Sequence, residues 1–182
     1  ENNLKNLLCA ITVISIFKNI KNLNKNIFYD YEIPEGRGDL SKIKINKKNI
    51  FLIDESYNSN PLSLRSAINN FNLINIKNNK KHLILGDMLE LGKHSKKLHS
   101  ELSYVINSSS IDNVYVFGKN IKETYKNIHR KKKGLILNEI SQIIDLIKNN
   151  INNNDYLMIK GSNATGLHKL ASRLKKERNN AL

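Results

Sequence analysis

The chain has 182 residues, a formal net charge of +14 and a hydrophobic content of 40%. This length is sufficient for one well-buried core and a small second unit. The single cysteine excludes a disulfide framework and an all-cysteine metal site.

The positive charge permits a nucleic-acid-binding interpretation, but its distribution along the chain disfavours one. The basic residues are dispersed, and one dense run lies at Arg130 to Lys133. The abundance of Asn, Lys and Ile is typical of an AT-rich genome and carries no functional signal. Aromatic residues make up 7% of the chain, too few for a base-stacking platform. A nucleic-acid-binding domain therefore remains the weaker alternative.

The first predicted element is a helix, because five apolar residues between Leu4 and Ile14 repeat at helical spacing. Its apolar run, Leu7 to Phe17, is too short to span a bilayer, which needs about 20 residues. Neither a basic start nor a cleavage site marks a signal peptide. Cys9 lies in this run, where a buried, inert thiol is expected. Because the chain begins with Glu1 in mid-pattern, we expect it to be the tail of a longer protein.

A loop-like stretch with Pro34, Gly36 and Gly38 follows and is the predicted domain boundary. We place the first domain at residues 1–41 and the second at residues 42–182.

In the second domain, short apolar strands alternate with amphipathic helices. Asn60, followed by Pro61, is predicted to cap the first of these helices, and Asn138 a later one. The last helix is predicted to begin at Ser162. The predicted strands are residues 49–54, 82–85, 114–117, 135–137 and 156–159.

Five strand–helix units with short connections predict an α/β fold. The sheet is expected to be parallel-rich and doubly wound (Rossmann-like), with helices on both faces. Ligands bind such a sheet beyond the carboxyl ends of its strands. Three polar clusters fall at those ends: residues 54–60, Gly86-Asp87 and residues 160–162. The sequence therefore predicts a ligand site at this edge of the sheet.

Two polar groups at this edge have alternative interpretations. Ser162, at a predicted helix start beside Lys160, suits a carboxylate or phosphate ligand, but the residues alone favour a capped helix with a solvated lysine. Asp87 is suited to hold an ammonium group or to cap a turn. His99 is expected to be structural or solvated rather than catalytic.

The chain lacks a P-loop, and its histidines do not cluster at metal-ligand spacing. No Ser/His/Asp order or paired-carboxylate site can be defended. An autonomous catalyst is therefore not expected.

Five segments resemble motifs of the Mur ligases, in particular the type that adds D-alanyl-D-alanine. Asp54 to Pro61 resembles D-[DE]-S-Y-N-A-N-P, and Leu85 to Gly92, with Ser95 and His99, resembles L-G-D-M-x-E-L-G-x-x-S-x-x-x-H. Lys160-Gly-Ser162 resembles the K-G-S-R opening of the family's last helix, and Gly36-Arg-Gly38 its G-R-G hinge. The start of the chain resembles the family's H-N-x-x-N-x-L-A-A helix, which places a remnant of the central ATPase domain in residues 1–41.

The resemblance implies an ATP-dependent ligase of bacterial, cytoplasmic peptidoglycan synthesis. ATP would phosphorylate the terminal carboxylate of a UDP-N-acetylmuramoyl tripeptide, and the amine of D-Ala-D-Ala would attack the acyl phosphate. ATP and Mg²⁺ would be bound mainly by the part of the ATPase domain that is expected to lie outside this chain, together with the UDP-binding domain. The fragment is therefore not expected to be active alone or to contain a catalytic or metal-binding residue of its own.

By the same resemblance, the site residues fall into two groups. Those expected to bind ATP are Asn3, Asn6, Arg37, Asp54 and Glu55. Those expected to bind substrate are Tyr57, Asn58, Asn60, Asp87, Lys160 and Ser162.

One residue departs from the family pattern in a way that affects function. Asn163 stands where the family usually has Arg, which removes a charge and a bidentate donor. This departure favours the alternative of a non-catalytic binding module derived from the family.

Overall fold

The computed structural model describes residues 2–176, but not the side chains of Asn2 and Asn3. The chain divides after Glu32 into two compact units. This division falls earlier than the boundary predicted after residue 41. The helices are α1 (Asn2–Phe17), α2 (Pro61–Leu73), α3 (Ser95–Ser108), α4 (Lys122–Asn127), α5 (Ile140–Asn150) and α6 (Leu167–Lys176). The strands are β1 (Asp39–Ile45), β2 (Lys48–Glu55), β3 (Lys81–Gly86), β4 (Asn113–Phe117), β5 (Lys133–Leu137) and β6 (Tyr156–Lys160).

The first unit consists of α1, a 3-10 helix at Ile20–Asn22 and loops. The apolar residues of α1 are exposed on several sides, and Phe17 is 80% accessible. Cys9, expected to be buried, is exposed because it lies on a side of α1 that this unit leaves open to solvent. Among residues 2–176, no helix has both the length and the apolar composition required to cross a bilayer.

The second unit is built on a six-stranded sheet with the order β1-β2-β6-β3-β4-β5. Strand β1 pairs with β2 in the antiparallel direction, and all other neighbouring strands are parallel. All five predicted strands are present. Strand β1 was not predicted.

Helices cover both faces of the sheet, which confirms the doubly wound prediction. On one face, α2 and α3 pack through buried residues such as Phe71 and Leu102. On the other, α5 and α6 pack through residues such as Ile147 and Leu170. Each helix thus buries one apolar side against the sheet.

Strand β1 joins β2 through a two-residue turn in which Asn46 and Lys47 have φ angles of 47° and 65°. Two successive positive φ values are typical of a type I′ hairpin turn. Because the hairpin is antiparallel, Asp39 at the start of β1 pairs with Asp54 near the end of β2. The loop at residues 33–38 therefore reaches the carboxyl end of β2.

The start of α2 is as predicted, whereas the start of α5 is shifted by one residue. Asn60 caps α2 by accepting a hydrogen bond from the Ser63 amide at 2.8 Å. Glu139, and not Asn138, is the N-cap of α5. Asn138 is not the cap, because its amide and that of Glu139 both donate to Oε1 of Gln142. These bonds tie both residues to the first turn of the helix, which begins after Glu139.

Strand β6 lies between β2 and β3, although it is the last strand in the sequence. The chain crosses over one face of the sheet after β2 and over the other after β5. This arrangement creates a topological switch point, where open α/β sheets form a crevice at the carboxyl ends of the strands.

Candidate functional site

The three predicted polar clusters meet at the switch point. Lys160, at the end of β6, pairs in register with Glu55 of β2 on one side and with Leu85 of β3 on the other. The predicted convergence of these loops at one edge is thereby confirmed.

Lys160 is buried and holds the loop after β2. Its ammonium donates to the backbone oxygen of Glu55 at 3.3 Å, to Glu55 Oε2 at 3.3 Å and to the backbone oxygen of Asn58 at 3.0 Å. Burial lowers the pKa of Lys160 and raises the pKa of Glu55, and the attraction between the two opposes both shifts. The pair therefore fixes the position of residues 55–58.

Ser162 links the loops that follow β2 and β3. Its amide donates to the backbone oxygen of Asp87 at 3.0 Å, and its hydroxyl accepts from the Leu89 amide at 3.0 Å. The same hydroxyl lies 3.4 Å from the backbone oxygen of Ser59, to which it donates. The buried Ser162 thus contacts both neighbouring loops of the crevice.

The prediction that the last helix begins at Ser162 is wrong. A 3-10 turn occupies Asn163–Thr165, Gly166 follows with a φ of 82°, and α6 begins at Leu167. Because the left-handed Gly166 separates the turn from α6, Ser162 is not at the N-terminus of an α-helix. The role of Lys160 and Ser162 in holding a dipeptide carboxylate stays a prediction.

The ends of β3 and β6 approach each other through two glycines. A Cβ atom on Gly161 would lie 3.0 Å from the Cα of Gly86 and 2.9 Å from Cδ1 of Leu167. The absence of side chains at both positions lets the two loops and the start of α6 pack together.

Asp87 caps the turn that precedes α4. Its Oδ1 accepts from the Ile121 amide at 2.7 Å, and its Oδ2 accepts from the Lys119 amide at 3.1 Å. The side chain is buried. Of the two interpretations left open by the sequence, the structure shows the cap.

Replacing Gly118 with alanine is expected to lower the free energy of unfolding by about 2–4 kcal/mol, from a strained backbone and a collision with Asp87. Gly118 has a φ of 135°, and a Cβ there would lie 2.5 Å from Oδ1 of Asp87. Urea denaturation checks this, with Gly92→Ala as the control. Gly92 also has a positive φ, but no atom lies within 4 Å of its added Cβ. An equal loss in both variants would contradict the collision with Asp87.

His99 is structural, as the sequence predicted. The ring is buried, Nε2 accepts from the Met88 amide at 3.1 Å, and Nδ1 donates to the backbone oxygen of Ser95 at 2.8 Å. These bonds fix the Nδ1–H tautomer and hold the loop after β3 onto α3.

Asp54 is fully buried, and both of its carboxylate oxygens are bonded. Oδ2 accepts from the Lys175 ammonium at 2.7 Å. Oδ1 accepts from the amide of Ser56 at 3.1 Å and from its hydroxyl. The predicted contact of Asp54 with a nucleotide would require these bonds to be exchanged, so its position favours a supporting role.

The surface of the site is formed by other predicted residues. The Arg37 guanidinium lies 4.5 Å from the centroid of the Tyr57 ring, an arrangement typical of a cation–π contact. Tyr57 is 42% accessible, and Asn58 beside it is exposed. Asn60 is also exposed, although its side-chain oxygen is engaged in capping α2. A ligand can therefore reach this surface, hereafter the Arg37–Tyr57 face.

The two asparagines predicted to bind ATP belong to the first unit. Asn6 is exposed on α1. The side chain of Asn3 lies outside the described residues.

Sequence reasoning missed three residues of α6 that contact the site: His168, Ser172 and Lys175. His168 meets the Tyr57 ring edge-on with centroids 5.8 Å apart. The three positions share one side of the helix, at spacing i, i+4 and i+7, next to the apolar residues that face the core. This polar stripe, hereafter the α6 stripe, is the sequence pattern from which the three residues could have been identified.

The fold and the site together define a Mur ligase domain. Residues 41–163 match the family model described as "Mur ligase, glutamate ligase domain". The match covers more than half of the chain, and the chain belongs to this family.

Curated relatives carry the name UDP-N-acetylmuramoyl-tripeptide–D-alanyl-D-alanine ligase. The protein from Rickettsia prowazekii is 28% identical over 169 residues, which is 93% of this chain and 36% of the relative. The protein from Buchnera aphidicola subsp. Acyrthosiphon pisum is 33% identical over 71% of this chain and 28% of the relative. The chain thus spans about a third of the length of these relatives.

Solved structures share the fold. A MurF ligase from Thermotoga maritima, crystallised in complex with ADP, aligns with a TM-score of 0.72 and 21% identity, over 96% of this chain and 37% of that one. A MurF from Acinetobacter baumannii aligns with a TM-score of 0.69 and 22% identity, over 90% of this chain and 35% of that one.

Proposed function

We propose that this chain is the C-terminal part of an ATP-dependent ligase that joins D-alanyl-D-alanine to UDP-N-acetylmuramoyl-tripeptide in peptidoglycan synthesis. The convergence of the loops after β2, β3 and β6 beneath the exposed Arg37–Tyr57 face carries this proposal. The curated relatives bear the name of this activity. The reaction would take place in the bacterial cytoplasm.

The exposed and the buried polar residues have different tasks in this proposal. Arg37 offers a charged, planar donor to nucleotide phosphates, and Glu55, whose side chain is 22% accessible, faces the ribose. Tyr57 and Asn58 face the incoming dipeptide. The buried Lys160 keeps their loop in place before any ligand arrives, since preorganised groups lose little entropy on binding.

When bound, ATP supplies the phosphoryl group that activates the tripeptide carboxylate. The residues of this chain contribute by placing the amine of D-Ala-D-Ala against that carbonyl carbon and by excluding water. Among residues 2–176, no three His, Cys, Asp or Glu side chains are grouped so that they could hold a metal ion.

The composition of α1 supports the assignment of the first unit to a larger domain. Apolar residues lie all around this helix, and Leu4, Leu8 and Val13 are each more than half accessible. A helix that is apolar on every side is typical of a protein interior. We propose that α1 belongs to the ATPase domain and that the second unit is the C-terminal domain of the ligase. The ATPase and UDP-binding domains would complete the enzyme.

Asn163 supports a second candidate, a binding module of the same family without ligase activity. This residue is exposed and stands where the family usually has Arg. A ligation assay with the remaining domains present distinguishes the two candidates, since the module would bind ligand without forming an amide.

Arg37→Ala is expected to weaken ADP binding about tenfold, equivalent to about 1.4 kcal/mol, because it removes a charged donor from the proposed nucleotide site. Isothermal titration calorimetry of the chain, alone and with the remaining domains, measures this affinity. Arg130→Ala removes an equal charge from an exposed position and serves as the control.

D-Ala-D-Ala is titrated in parallel with ADP. If neither ligand binds even when the remaining domains are present, the site assignment is wrong. A mobility shift with DNA that weakens steeply as salt rises would instead support nucleic-acid binding.

A further inference from the structure

The loop that carries Arg37 is bonded to the second unit on both sides of the arginine. The Gly36 amide donates to Oδ1 of Asp39 at 2.8 Å, and the Gly38 amide donates to the backbone oxygen of Asp54 at 2.7 Å. The Tyr57 amide donates in turn to the Gly36 oxygen at 3.1 Å. Residues 36–38 are therefore bonded into this unit on both sides of Arg37.

The two glycines of this loop permit its close approach to the site. A Cβ on Gly36 would lie 2.9 Å from Cβ of Tyr57, and one on Gly38 would lie 2.9 Å from Oε1 of Glu55. Both glycines also have positive φ angles. The backbone on either side of Arg37 thus packs directly against two predicted ligand-binding residues.

The α6 stripe holds the same loop from the opposite side. The Ser172 hydroxyl donates to Oε1 of Glu35 at 2.7 Å. Nδ1 of His168 lies 3.4 Å from the hydroxyl of Ser56, next to Tyr57. Two turns of helix α6 therefore line the stretch between Glu35 and Tyr57.

Lys175, at the end of the stripe, joins three carboxylates. Its ammonium lies 2.7 Å from Asp54 Oδ2, 2.9 Å from Asp39 Oδ2 and 3.1 Å from Glu35 Oε1. The ammonium has three N–H donors, so each carboxylate receives one. Although burial lowers the pKa of Lys175, bonds to Asp54, Asp39 and Glu35 outweigh it and raise this pKa.

We propose that Lys175 is a positioning residue of the nucleotide site. Through Glu35, Asp39 and Asp54 it holds the loop in place, so that Arg37 stays stacked over Tyr57. Arg37 thereby belongs to the second unit. This inference rests on the proposed function only for the identity of the ligand.

The first test measures Arg37 in the 182-residue chain by NMR. In Lys175→Met, the ring-current shift of the Arg37 δ protons over Tyr57 should be lost, and the exchange rate of the Gly38 amide should rise at least tenfold. Lys175→Arg keeps the charge and should restore most of the shift. Lys176→Met removes a neighbouring, exposed lysine from the same helix and should change neither quantity. If Lys175→Met behaves as Lys176→Met does, the proposal is overturned.

A second variant guards against simple loss of folding. Glu35→Gln leaves the buried pair of Asp54 and Lys175 intact, because Glu35 lies at the solvent end of the cluster with its side chain 51% accessible. The Arg37 shift should decrease and Gly38 exchange should rise severalfold, while the amide of Leu83 in β3 stays unchanged. An unchanged Arg37 shift would count against the proposal.

Measurements of ligand affinity distinguish a failure of this proposal from a failure of the proposed function. With the remaining domains present, Lys175→Met should weaken ADP binding at least fivefold and leave D-Ala-D-Ala affinity unchanged. Equal losses for both ligands would overturn a role specific to Arg37. Absence of ADP binding by the wild-type protein would overturn the proposed nucleotide site, whereas the NMR arm tests the position of Arg37 independently.

Discussion

Lys160→Met is expected to lower the free energy of unfolding by about 3–5 kcal/mol, the range for removing one partner of a buried ion pair. The side chain of Lys160 is 2% accessible. Its loss leaves the Glu55 carboxylate without its cation and leaves the backbone oxygens of Glu55 and Asn58 without a donor. Urea denaturation measures the change, and Lys169→Met, on the exposed side of α6, is the control.

A double substitution separates the two contributions of Lys160. Adding Glu55→Gln to Lys160→Met should recover only part of the lost stability, because the two backbone oxygens still lack a donor. Lys160→Arg should not restore the wild-type value, because the planar guanidinium does not fit a site built for a compact ammonium. Full recovery in the double variant would mean that charge pairing alone explains the role of Lys160.

Asp155→Ala is expected to destabilise the opposite edge of the sheet by about 3–5 kcal/mol, because it removes a buried charge with several bonds. The Lys80 amide donates to Oδ1 of Asp155 at 2.8 Å, and the Asn152 amide donates to Oδ2 at 2.9 Å. His82 Nε2 lies 3.0 Å from the same oxygen. Asp145→Ala, on the exposed side of α5, should change stability little.

The pH dependence of the Asp155 effect has a definite sign. Burial raises the pKa of Asp155, but hydrogen bonds from the Lys80 and Asn152 amides and from His82 outweigh it and lower the pKa below the ordinary value of 3.8. This stabilisation is fully present above that value and is lost as the pH falls through the folded-state pKa. The part of the stability difference between the wild type and Asp155→Ala that comes from the ionised carboxylate should therefore shrink as the pH falls below about 4. A difference that grows below that pH would contradict the cited bonds.

His82 adds a second acid-sensitive contribution. Burial lowers its pKa from 6.5, and the partnership with Asp155 opposes this only in part. The unfolded chain then binds a proton before the folded one, so the stability of the wild type falls as the pH drops below about 6.5.

The parallel strands could be predicted because strands buried on both faces are continuous apolar runs. Residues 82–85 and 156–159 are of this kind, and both were placed correctly. Strand β1 was missed because lysines interrupt its apolar residues. Its Asn46-Lys47 turn also lacks the glycine that usually marks a type I′ hairpin.

The convergence of the polar loops could be predicted, but which of their side chains are buried could not. Parallel strands end at one edge, so polar residues at those ends were bound to meet. Whether a polar side chain is buried depends on partners that are distant in sequence: Lys160 bonds to Asn58, 102 residues away, and Lys175 to Asp39, 136 residues away. Local sequence patterns do not indicate such long-range pairings. The sequence therefore predicted a ligand contact for both the buried Asp54 and the exposed Arg37.

The antiparallel hairpin of β1 and β2 determines where the polypeptide enters the second unit. Had the first strand run parallel to its neighbour, the chain would arrive at the opposite edge, about 17–20 Å away for a strand of ordinary length. Instead, the chain enters the second unit at the carboxyl end of β2, through the loop that presents Arg37. The entering backbone and the loops after β2, β3 and β6 therefore share one end of the sheet.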